Sequence, residues 1–182
     1  MKLLAIVGSP RPAGNTNYLV DQALAEAAKL GVDTEKIILS EYKVNPCQGH
    51  ENCASFSACV QKDDAPWILE KFRQADGVIL ATPVYYYNMT AQMKAFVDRN
   101  YFLYMHNLGL AAKTAGLIII AGGAGMEHTE RALRRFMAFY IGNDRITTVT
   151  GLASKPGEIK GKAPTIEEAL NLGKLMASQL GG

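Results

Sequence analysis

Residues 2–17 read KLLAIVGSPRPAGNTN, a short apolar run that ends at Gly8 and continues into a polar loop. An uninterrupted apolar run that stops at a glycine is typical of a strand buried on both faces of a parallel sheet. The loop leads directly into residues 16–30, where one apolar face repeats at helical spacing: Leu19, Val20, Ala23, Leu24 and Ala27. The segment therefore predicts a strand, a loop and a helix in immediate succession.

Further strands and helices extend this alternation along the chain. Apolar runs at 77–82 and 114–121 predict two more buried strands, and weaker strands are predicted at 33–39 and 145–150. Helical spacing is found at 64–75, 90–101, 126–142 and 164–180. Regular β-α alternation with right-handed crossovers predicts an α/β fold with an open, doubly wound, five-stranded parallel sheet. Ligands of such sheets bind at the carboxyl ends of the strands, so we expect the site in the loops after strands one, three and four.

The composition is that of a single globular domain. The 182 residues are 48% apolar and 20% charged, which is sufficient for one packed core across residues 1–182. The formal charge of +2 comes from scattered Lys and Arg, so we expect no nucleic acid and no membrane as partner. No apolar stretch approaches the roughly 20 residues that span a bilayer, and the N-terminal run is too short for a signal peptide. Three cysteines, an odd number, argue against a secreted disulfide framework, and we expect a cytoplasmic protein.

The polar loop after the first strand has the composition of a phosphate-binding site. Free backbone N–H groups at a helix start attract an anion, and hydroxyls, amides and a guanidinium add donors. The candidate residues are Ser9, Arg11, Asn15, Thr16 and Asn17. Five residues separate Gly8 from Gly14 and Asn15 follows, so the loop has neither the spacing of a P-loop nor that of G-x-G-x-x-G. The alternative is an ordinary turn in which Asn15 caps the helix.

Aromatic residues follow the third predicted strand. Residues 82–93 read TPVYYYNMTAQM, and rigid aromatic rings at the carboxyl end of a strand can flank a planar ligand. The tyrosines are equally compatible with core or interface positions. Thr90 is predicted to cap the next helix. After the fourth strand, Gly122 and Gly123 allow the backbone to approach a ligand closely, or they form a plain glycine-rich turn.

Two of these segments carry a family resemblance. GSPRPAGNT over residues 8–16 and PVYYYNMTAQMKAFVDR over residues 83–99 closely resemble the NADPH-dependent FMN reductase and iron-sulfur flavoprotein group of the flavodoxin-like superfamily. The resemblance implies a three-layer, flavodoxin-like sheet of order 2-1-3-4-5 that binds FMN. It implies that the five loop residues named above hold the phosphate. Around the flavin ring it places Pro83, Val84, Tyr85, Tyr86 and Asn88, with Gly122 and Gly123 covering the far side.

The same resemblance implies an FMN-dependent oxidoreductase. NADH or NADPH reduces the flavin in such enzymes, and the flavin then passes electrons to a small acceptor such as free flavin or a quinone. No general acid or base is needed, so we name no catalytic side chain. A homodimer or homotetramer is expected to complete the exposed flavin pocket. Two alternatives are an electron carrier that takes electrons from a protein partner, against which the +2 charge counts, and a nucleotide-binding protein without flavin.

A cysteine-containing loop occupies about residues 40–63. Its Cys47, Cys53, Cys59 and Asp63-Asp64 match the compact motif of iron-sulfur flavoproteins, but His50 stands at the second ligand position. A [4Fe-4S] cluster is ordinarily held by four thiolates, while three Cys and one His also suit zinc. We interpret the loop as metal-free, closing over the flavin or forming a subunit contact, with a cluster or zinc as the alternatives.

The remaining charged and histidine residues receive no role in the chemistry. Lys94, Asp98 and Arg99 are predicted to be solvated or to face a second subunit. His106 and His128 are interpreted as structural. Three arginines share one stretch of predicted helix, which is either a solvated face or a contact for the extra phosphate of NADPH: Arg131, Arg134 and Arg135.

Overall fold

A parallel sheet runs through the centre of the computed structural model, which describes residues 1–181. The strands are β1 (Lys2–Val7), β2 (Asp33–Ile38), β3 (Gly77–Tyr85), β4 (Asn88–Met89), β5 (Thr114–Ala121) and β6 (Ile146–Leu152). The helices are α1 (Asn15–Lys29), α2 (Ala65–Gln74), α3 (Ala91–Arg99), α4 (Tyr101–Met105), α5 (Met126–Ile141) and α6 (Ala163–Gly181). None of these helices combines the length and apolar character needed to cross a membrane.

The strand order is β2-β1-β3-β5-β6, with all neighbouring pairs parallel. The fourth and fifth predicted strands are β5 and β6, so the predicted order is confirmed. The short β4 lies outside this path and pairs antiparallel with the end of β3. All five parallel strands therefore end at one edge of the sheet, where their loops can meet.

Apolar runs form the central strands because helices cover both faces of the sheet. Every residue of β5 is buried, as are Leu3 to Val7 of β1. One core cluster joins the sheet to α1 and α6, and the second joins it to α2, α3, α4 and α5. The three-layer architecture predicted from the family resemblance is thus confirmed. At Gly173 of α6 the approach to α1 is so close that a Cβ atom would lie 2.1 Å from the Ala23 carbonyl oxygen.

Most element boundaries differ from the predictions by one or two residues, and two elements differ for a clear local reason. The helix predicted over residues 90–101 divides at Asn100, whose side-chain amide donates to the Phe96 carbonyl while its backbone N–H turns to Val97. The third strand continues past its predicted end at residue 82, because Val84 and Tyr85 pair with β4 in a hairpin. The hairpin turn consists of Tyr86 and Tyr87, a pair that carries none of the usual Asn or Gly turn signals.

Candidate functional site

A cleft of about 230 Å³ opens at the carboxyl edge of the sheet. It lies between the loops that follow β1, β3, β5 and β6. Polar groups come mainly from the first of these loops, and apolar side chains come from the others. The lining residues are Ser9, Arg11, Gly14, Asn15, Thr16, Pro83, Val84, Tyr85, Ile120, Gly122, Ala153, Ser154 and Pro156.

The loop after β1 is folded around the carbonyl oxygen of Arg11. This oxygen accepts hydrogen bonds from the Ser9 hydroxyl at 3.2 Å, the Gly14 N–H at 2.9 Å and the Asn17 side-chain amide at 3.1 Å. A Cβ atom at Gly14 would lie 2.9 Å from the same oxygen, so the turn requires glycine there. The first backbone bond of the helix runs from the Tyr18 N–H to the Gly14 carbonyl at 3.1 Å. The amide N–H groups of residues 15–17 are therefore left for a ligand.

The charge of the cleft favours an anion at this loop. Arg11 is the sole charged residue among those that line the cleft, and its side chain is exposed. The positive end of the α1 dipole adds to the guanidinium charge. Pro83, Val84 and Ile120 supply apolar surface in the same cleft. The cleft can thus bind a ligand that carries both a phosphate and a flat, largely apolar group.

Asn15 fastens the start of α1 to the loop after β6. Its side-chain N–H donates to the Lys155 carbonyl at 2.9 Å, and its side-chain oxygen accepts from the Ile159 N–H at 3.3 Å. Asn15 does not cap the helix, because Gly14 holds the cap position without a side-chain bond. Its amide group is already bonded within the protein, so the group left for a ligand is its backbone N–H.

The loop after β6 contributes three cleft residues that the sequence did not predict: Ala153, Ser154 and Pro156. The Glu158 carboxylate accepts from the backbone N–H groups of Lys155 at 3.0 Å and Ser154 at 2.9 Å, and these bonds lower the pKa of Glu158. Pro and Gly in residues 151–157 indicate a loop, and this loop follows a strand of the parallel sheet. That position predicts a contribution to the ligand site.

Thr90 joins the loop after β1 to the hairpin and to α3. Its hydroxyl donates to the Gly8 carbonyl at 2.6 Å and accepts from the Met93 N–H at 3.3 Å, so the predicted cap of this helix is confirmed. Its backbone N–H donates to the Thr82 hydroxyl at 3.2 Å. Both threonines are fully buried. These bonds fix the distance between the loop after β1 and the loop after β3. That distance sets the width of the cleft.

The hairpin turn holds two tyrosines in a conformation that costs energy. Tyr86 and Tyr87 have φ angles of 48° and 65°, in the left-handed region that bulky residues rarely adopt. The turn packs directly against Gly125. A Cβ atom there would lie 2.6 Å from the Tyr87 Cα, so only glycine allows this contact. Tyr86 is 97% exposed and lies outside the cleft lining, whereas Tyr85 lines the cleft.

The cleft brings together most of the residues predicted from the sequence. These are Ser9, Arg11, Asn15, Thr16, Pro83, Val84, Tyr85 and Gly122. Four predicted residues lie outside its lining: Asn17, Tyr86, Asn88 and Gly123. The Asn17 side-chain amide donates a hydrogen bond to the Arg11 carbonyl, and the Asn88 side-chain oxygen accepts one from the Met89 N–H at 2.8 Å. Their contact with a ligand stays a prediction.

The cysteine-containing loop does not line the cleft, and a buried ion pair fastens it elsewhere. Arg99 was predicted to be solvated or to face a second subunit, and that prediction is wrong, because its side chain is 1% exposed. It donates to the Asp63 carboxylate at 2.5 Å and to the Asn45 carbonyl at 3.2 Å. Asp63 also accepts from the backbone N–H groups of Asn45 and Ala65. Burial alone would raise the pKa of the Asp63 carboxyl, but the Arg99 and backbone hydrogen bonds outweigh it and lower the pKa.

The donor residues of the cysteine-containing loop are not gathered around a metal site in this arrangement, and the metal-free interpretation of the loop stays a prediction. Across residues 1–181, no three His, Cys, Asp or Glu side chains converge closely enough to bind a metal ion. The Cys59 sulfur accepts a hydrogen bond from Arg99 at 3.2 Å, and the His50 ring packs edge-on against Phe56 at 5.9 Å.

Helix-terminal amides, one arginine and apolar side chains meet at the carboxyl edge of a sheet of this order, and together they define a flavodoxin-like mononucleotide-binding protein. Residues 1–151 match the family model for NADPH-dependent FMN reductase, and the chain belongs to that family. It is therefore an FMN-dependent oxidoreductase.

The chain is similar to a relative and to solved structures over nearly its whole length. An iron-sulfur flavoprotein of Methanocaldococcus jannaschii is 36% identical over 186 residues, covering 97% of this chain and 96% of the relative. An FMN-dependent NADH-azoreductase of Bacillus anthracis, solved with FMN, has a TM-score of 0.70 at 16% identity and covers 100% of both chains. An NAD(P)H:quinone oxidoreductase of Methanothermobacter marburgensis has a TM-score of 0.69 at 14% identity, covering 96% of this chain and 98% of that one. The two solved structures share the fold.

We expect Asp63→Asn to lower the free energy of unfolding by about 3–5 kcal/mol at pH 7, because Arg99 keeps a buried charge without its partner. The pKa of Asp63 is depressed by folding, so its stabilising contribution is present above the unfolded value of about 3.9 and is lost as the pH falls through the folded value. The difference in free energy of unfolding between Asp63→Asn and the unsubstituted protein should therefore become smaller below about pH 4. Urea unfolding at a series of pH values measures it.

The control for this series is Asp144→Asn, which removes an exposed carboxylate of the same type. This variant should match the unsubstituted protein at every pH. A destabilisation by Asp63→Asn that stayed constant from neutral to acid pH would contradict a stabilising charge on Asp63.

Proposed function

We propose that the chain binds FMN in the cleft and passes electrons from NADH or NADPH to a small-molecule acceptor. The observation that carries the proposal is the pairing of three free helix-terminal amides and Arg11 with the apolar residues of the same cleft. A phosphate at the start of α1 accepts from the amides of residues 15–17 and is paired with Arg11, while Thr16 offers its hydroxyl. The Ser9 hydroxyl, which donates to the Arg11 carbonyl, would have to turn from that oxygen to reach the phosphate. Bound FMN supplies two-electron acceptance from a nicotinamide and two-electron donation to a second substrate.

The flavin ring is proposed to lie against the residues after β3 and β5. Pro83, Val84 and Tyr85 line one part of the cleft, and Gly122 lets the backbone come close on the other. The predicted contacts of Asn17, Tyr86, Asn88 and Gly123 are kept as part of this proposal. The cleft lining contains no Asp, Glu, His, Lys or Cys. The protein's part is therefore to bind and orient, and no side chain of the lining is assigned a proton transfer.

The acceptor is proposed to be a small planar molecule such as free flavin, a quinone or an azo compound. Exposed aromatic side chains lie at the cleft, since Tyr85 in its lining is 42% exposed and Tyr86 next to it is almost fully exposed. Planar rings pack favourably on such side chains. The named neighbours support this class, because one is a quinone oxidoreductase and another an azoreductase. One open cleft serves both the nicotinamide and the acceptor in turn.

Mixing the FMN-loaded protein anaerobically with NADH or NADPH is expected to bleach the visible flavin absorption. Steady-state rates with free flavin, a benzoquinone and an azo dye should give parallel double-reciprocal lines, because both substrates use the same cleft. Intersecting lines would contradict a shared site. If neither nicotinamide bleaches a flavin that can be reduced photochemically, the protein is an electron carrier and the proposal is wrong.

Arg11→Ala is expected to raise the Kd for FMN about tenfold, because a charge-assisted bond to the phosphate is lost. Riboflavin has no phosphate, so its Kd should be unchanged by the same substitution. Fluorescence titration of both ligands measures the two constants. Arg145→Ala, an exposed arginine just before β6 at the opposite edge of the sheet, is the matched control and should leave both values unchanged. Equal weakening of FMN and riboflavin would contradict phosphate binding by Arg11.

We propose further that the chain forms a homodimer or homotetramer through an aromatic patch on α4 and α5. The patch consists of Tyr101, Tyr104, Phe136, Phe139 and Tyr140. Phe139 is 65% exposed and Tyr104 is 56% exposed, with their rings 5.9 Å apart. Contiguous apolar surface of this kind is typical of protein interfaces.

Phe139→Glu is expected to reduce the mass measured by light scattering to that of one chain, because a charge at the centre of the patch opposes burial. Leu30→Glu places the same charge on another exposed apolar residue and should leave the mass of the assembly unchanged. A single-chain mass for the unsubstituted protein would overturn the proposed assembly.

A further inference from the structure

A groove of about 470 Å³ runs along α5 on the surface of the protein. Arginine is its commonest lining residue, and all three arginines of the helix contribute to it. The lining residues are Glu127, Glu130, Arg131, Arg134, Arg135, Ala138 and Asn143. None of them lines the flavin cleft, so the groove is a separate feature of the surface.

One of the three arginines is engaged within the protein. Arg134 donates to the Glu130 carboxylate at 3.0 Å. It also donates to the Ile146 carbonyl at 3.1 Å and to the Thr148 hydroxyl at 2.8 Å, both in the edge strand β6. This guanidinium therefore fastens α5 to the sheet, and its charge is balanced by that of Glu130.

The other two arginines keep their charges unbalanced. Arg131 and Arg135 are exposed, and across residues 1–181 neither forms an ion pair. They are four residues apart in a helix, so their side chains are neighbours on one face, and like charges at this spacing destabilise a helix. An anion bound between the two guanidinium groups would remove that repulsion.

The groove begins where α5 leaves the flavin cleft. Gly125, directly before α5, packs so closely on β3 that a Cβ atom there would lie 3.1 Å from the Val84 Cγ1, and Val84 lines the cleft. Glu127, two residues further along, already lines the groove. At a rise of about 1.5 Å per residue, Arg131 lies about 9 Å and Arg135 about 15 Å along the helix from Gly125. A dinucleotide whose nicotinamide enters the cleft can therefore extend its adenosine end along α5.

We propose that Arg131 and Arg135 bind the 2′-phosphate of NADPH and thereby select NADPH over NADH. The inference rests on the proposed function, because it needs a nicotinamide that reacts with flavin in the cleft. The 2′-phosphate is the one group that distinguishes the two coenzymes, and guanidinium groups bind phosphate oxygens through paired, charge-assisted hydrogen bonds. NADH has a neutral hydroxyl at that position and leaves the two arginines repelling each other.

The charges along the groove agree with this direction of binding. Glu127 places a carboxylate at the end next to the cleft, whereas the two unbalanced guanidinium groups lie further along α5. An anionic group is therefore favoured away from the cleft, where the adenosine end of the dinucleotide would lie.

Titration calorimetry with adenosine 2′,5′-bisphosphate tests the groove without any turnover, because this probe carries the 2′-phosphate and no nicotinamide. Arg131→Gln and Arg135→Gln are each expected to raise its Kd about tenfold, since each removes a hydrogen bond between two charged groups. Adenosine 5′-monophosphate lacks the 2′-phosphate, and its Kd should stay the same. Arg73→Gln is the matched control, because Arg73 lies on α2 outside the groove and is paired with Glu70.

Steady-state kinetics of the FMN-loaded protein tests the selection itself. Both substitutions in the groove should raise the ratio of the KM for NADPH to the KM for NADH about tenfold, and Arg73→Gln should leave that ratio unchanged. A preference of the unsubstituted protein for NADH, or an equal rise of both KM values, would overturn the inference. Binding of the bisphosphate that survives both substitutions would overturn it as well. If neither nicotinamide reduces the flavin, the proposed function fails, and the bisphosphate titration still decides whether the groove binds a 2′-phosphate.

Discussion

Parallel pairing of β1 with β3 is the constraint on which the rest of the structure depends. Leu3 to Val7 lie opposite Gly77 to Ala81, so both strands end at the same edge and in register. The buried Thr90 hydroxyl then bonds the Gly8 carbonyl, which closes the distance between the two loops that follow these strands. A buried carbonyl needs a hydrogen-bond donor, and the Thr90 hydroxyl supplies it for Gly8. The cleft therefore forms at the carboxyl edge of the sheet, between the loops that this bond joins.

A flavin enzyme has to position the cofactor and its substrates more than it has to supply reactive side chains. The residues that line the cleft are of the kind that bind a ligand. Its polar contacts come from backbone amides and hydroxyls in a loop that folds around the Arg11 carbonyl. Asn15 ties that loop to the one after β6, so loops that follow β1 and β6, with β3 and β5 between them, are bonded to each other. Rigid placement of few groups suits a site in which the cofactor carries the chemistry.

The buried pair of Arg99 and Asp63 organises the other side of the molecule. Removing two charges from water is costly, and the cost is offset here because both groups have further hydrogen bonds to the backbone around Asn45. The pair anchors a loop that has little core of its own, and it brings a guanidinium to the sulfur of Cys59. The loop that contains Cys47, Cys53 and Cys59 is thus held in place by a buried ion pair.

The sequence by itself determined the five parallel strands and the Thr90 cap, because each of these follows from local signals such as apolar runs and capping hydroxyls, and the family resemblance implied the order of the strands. Tertiary structure decided what depends on residues far apart in the chain. The Tyr86-Tyr87 turn is held against Gly125, Ala153 to Pro156 reach the cleft through Asn15, and Arg99 is buried because Asp63 lies across from it. Lys94, Asp98 and Arg99 are all charged residues of α3, and the local sequence does not distinguish the buried one from the other two. Only a partner 36 residues away distinguishes the arginine, and no local pattern records that partner.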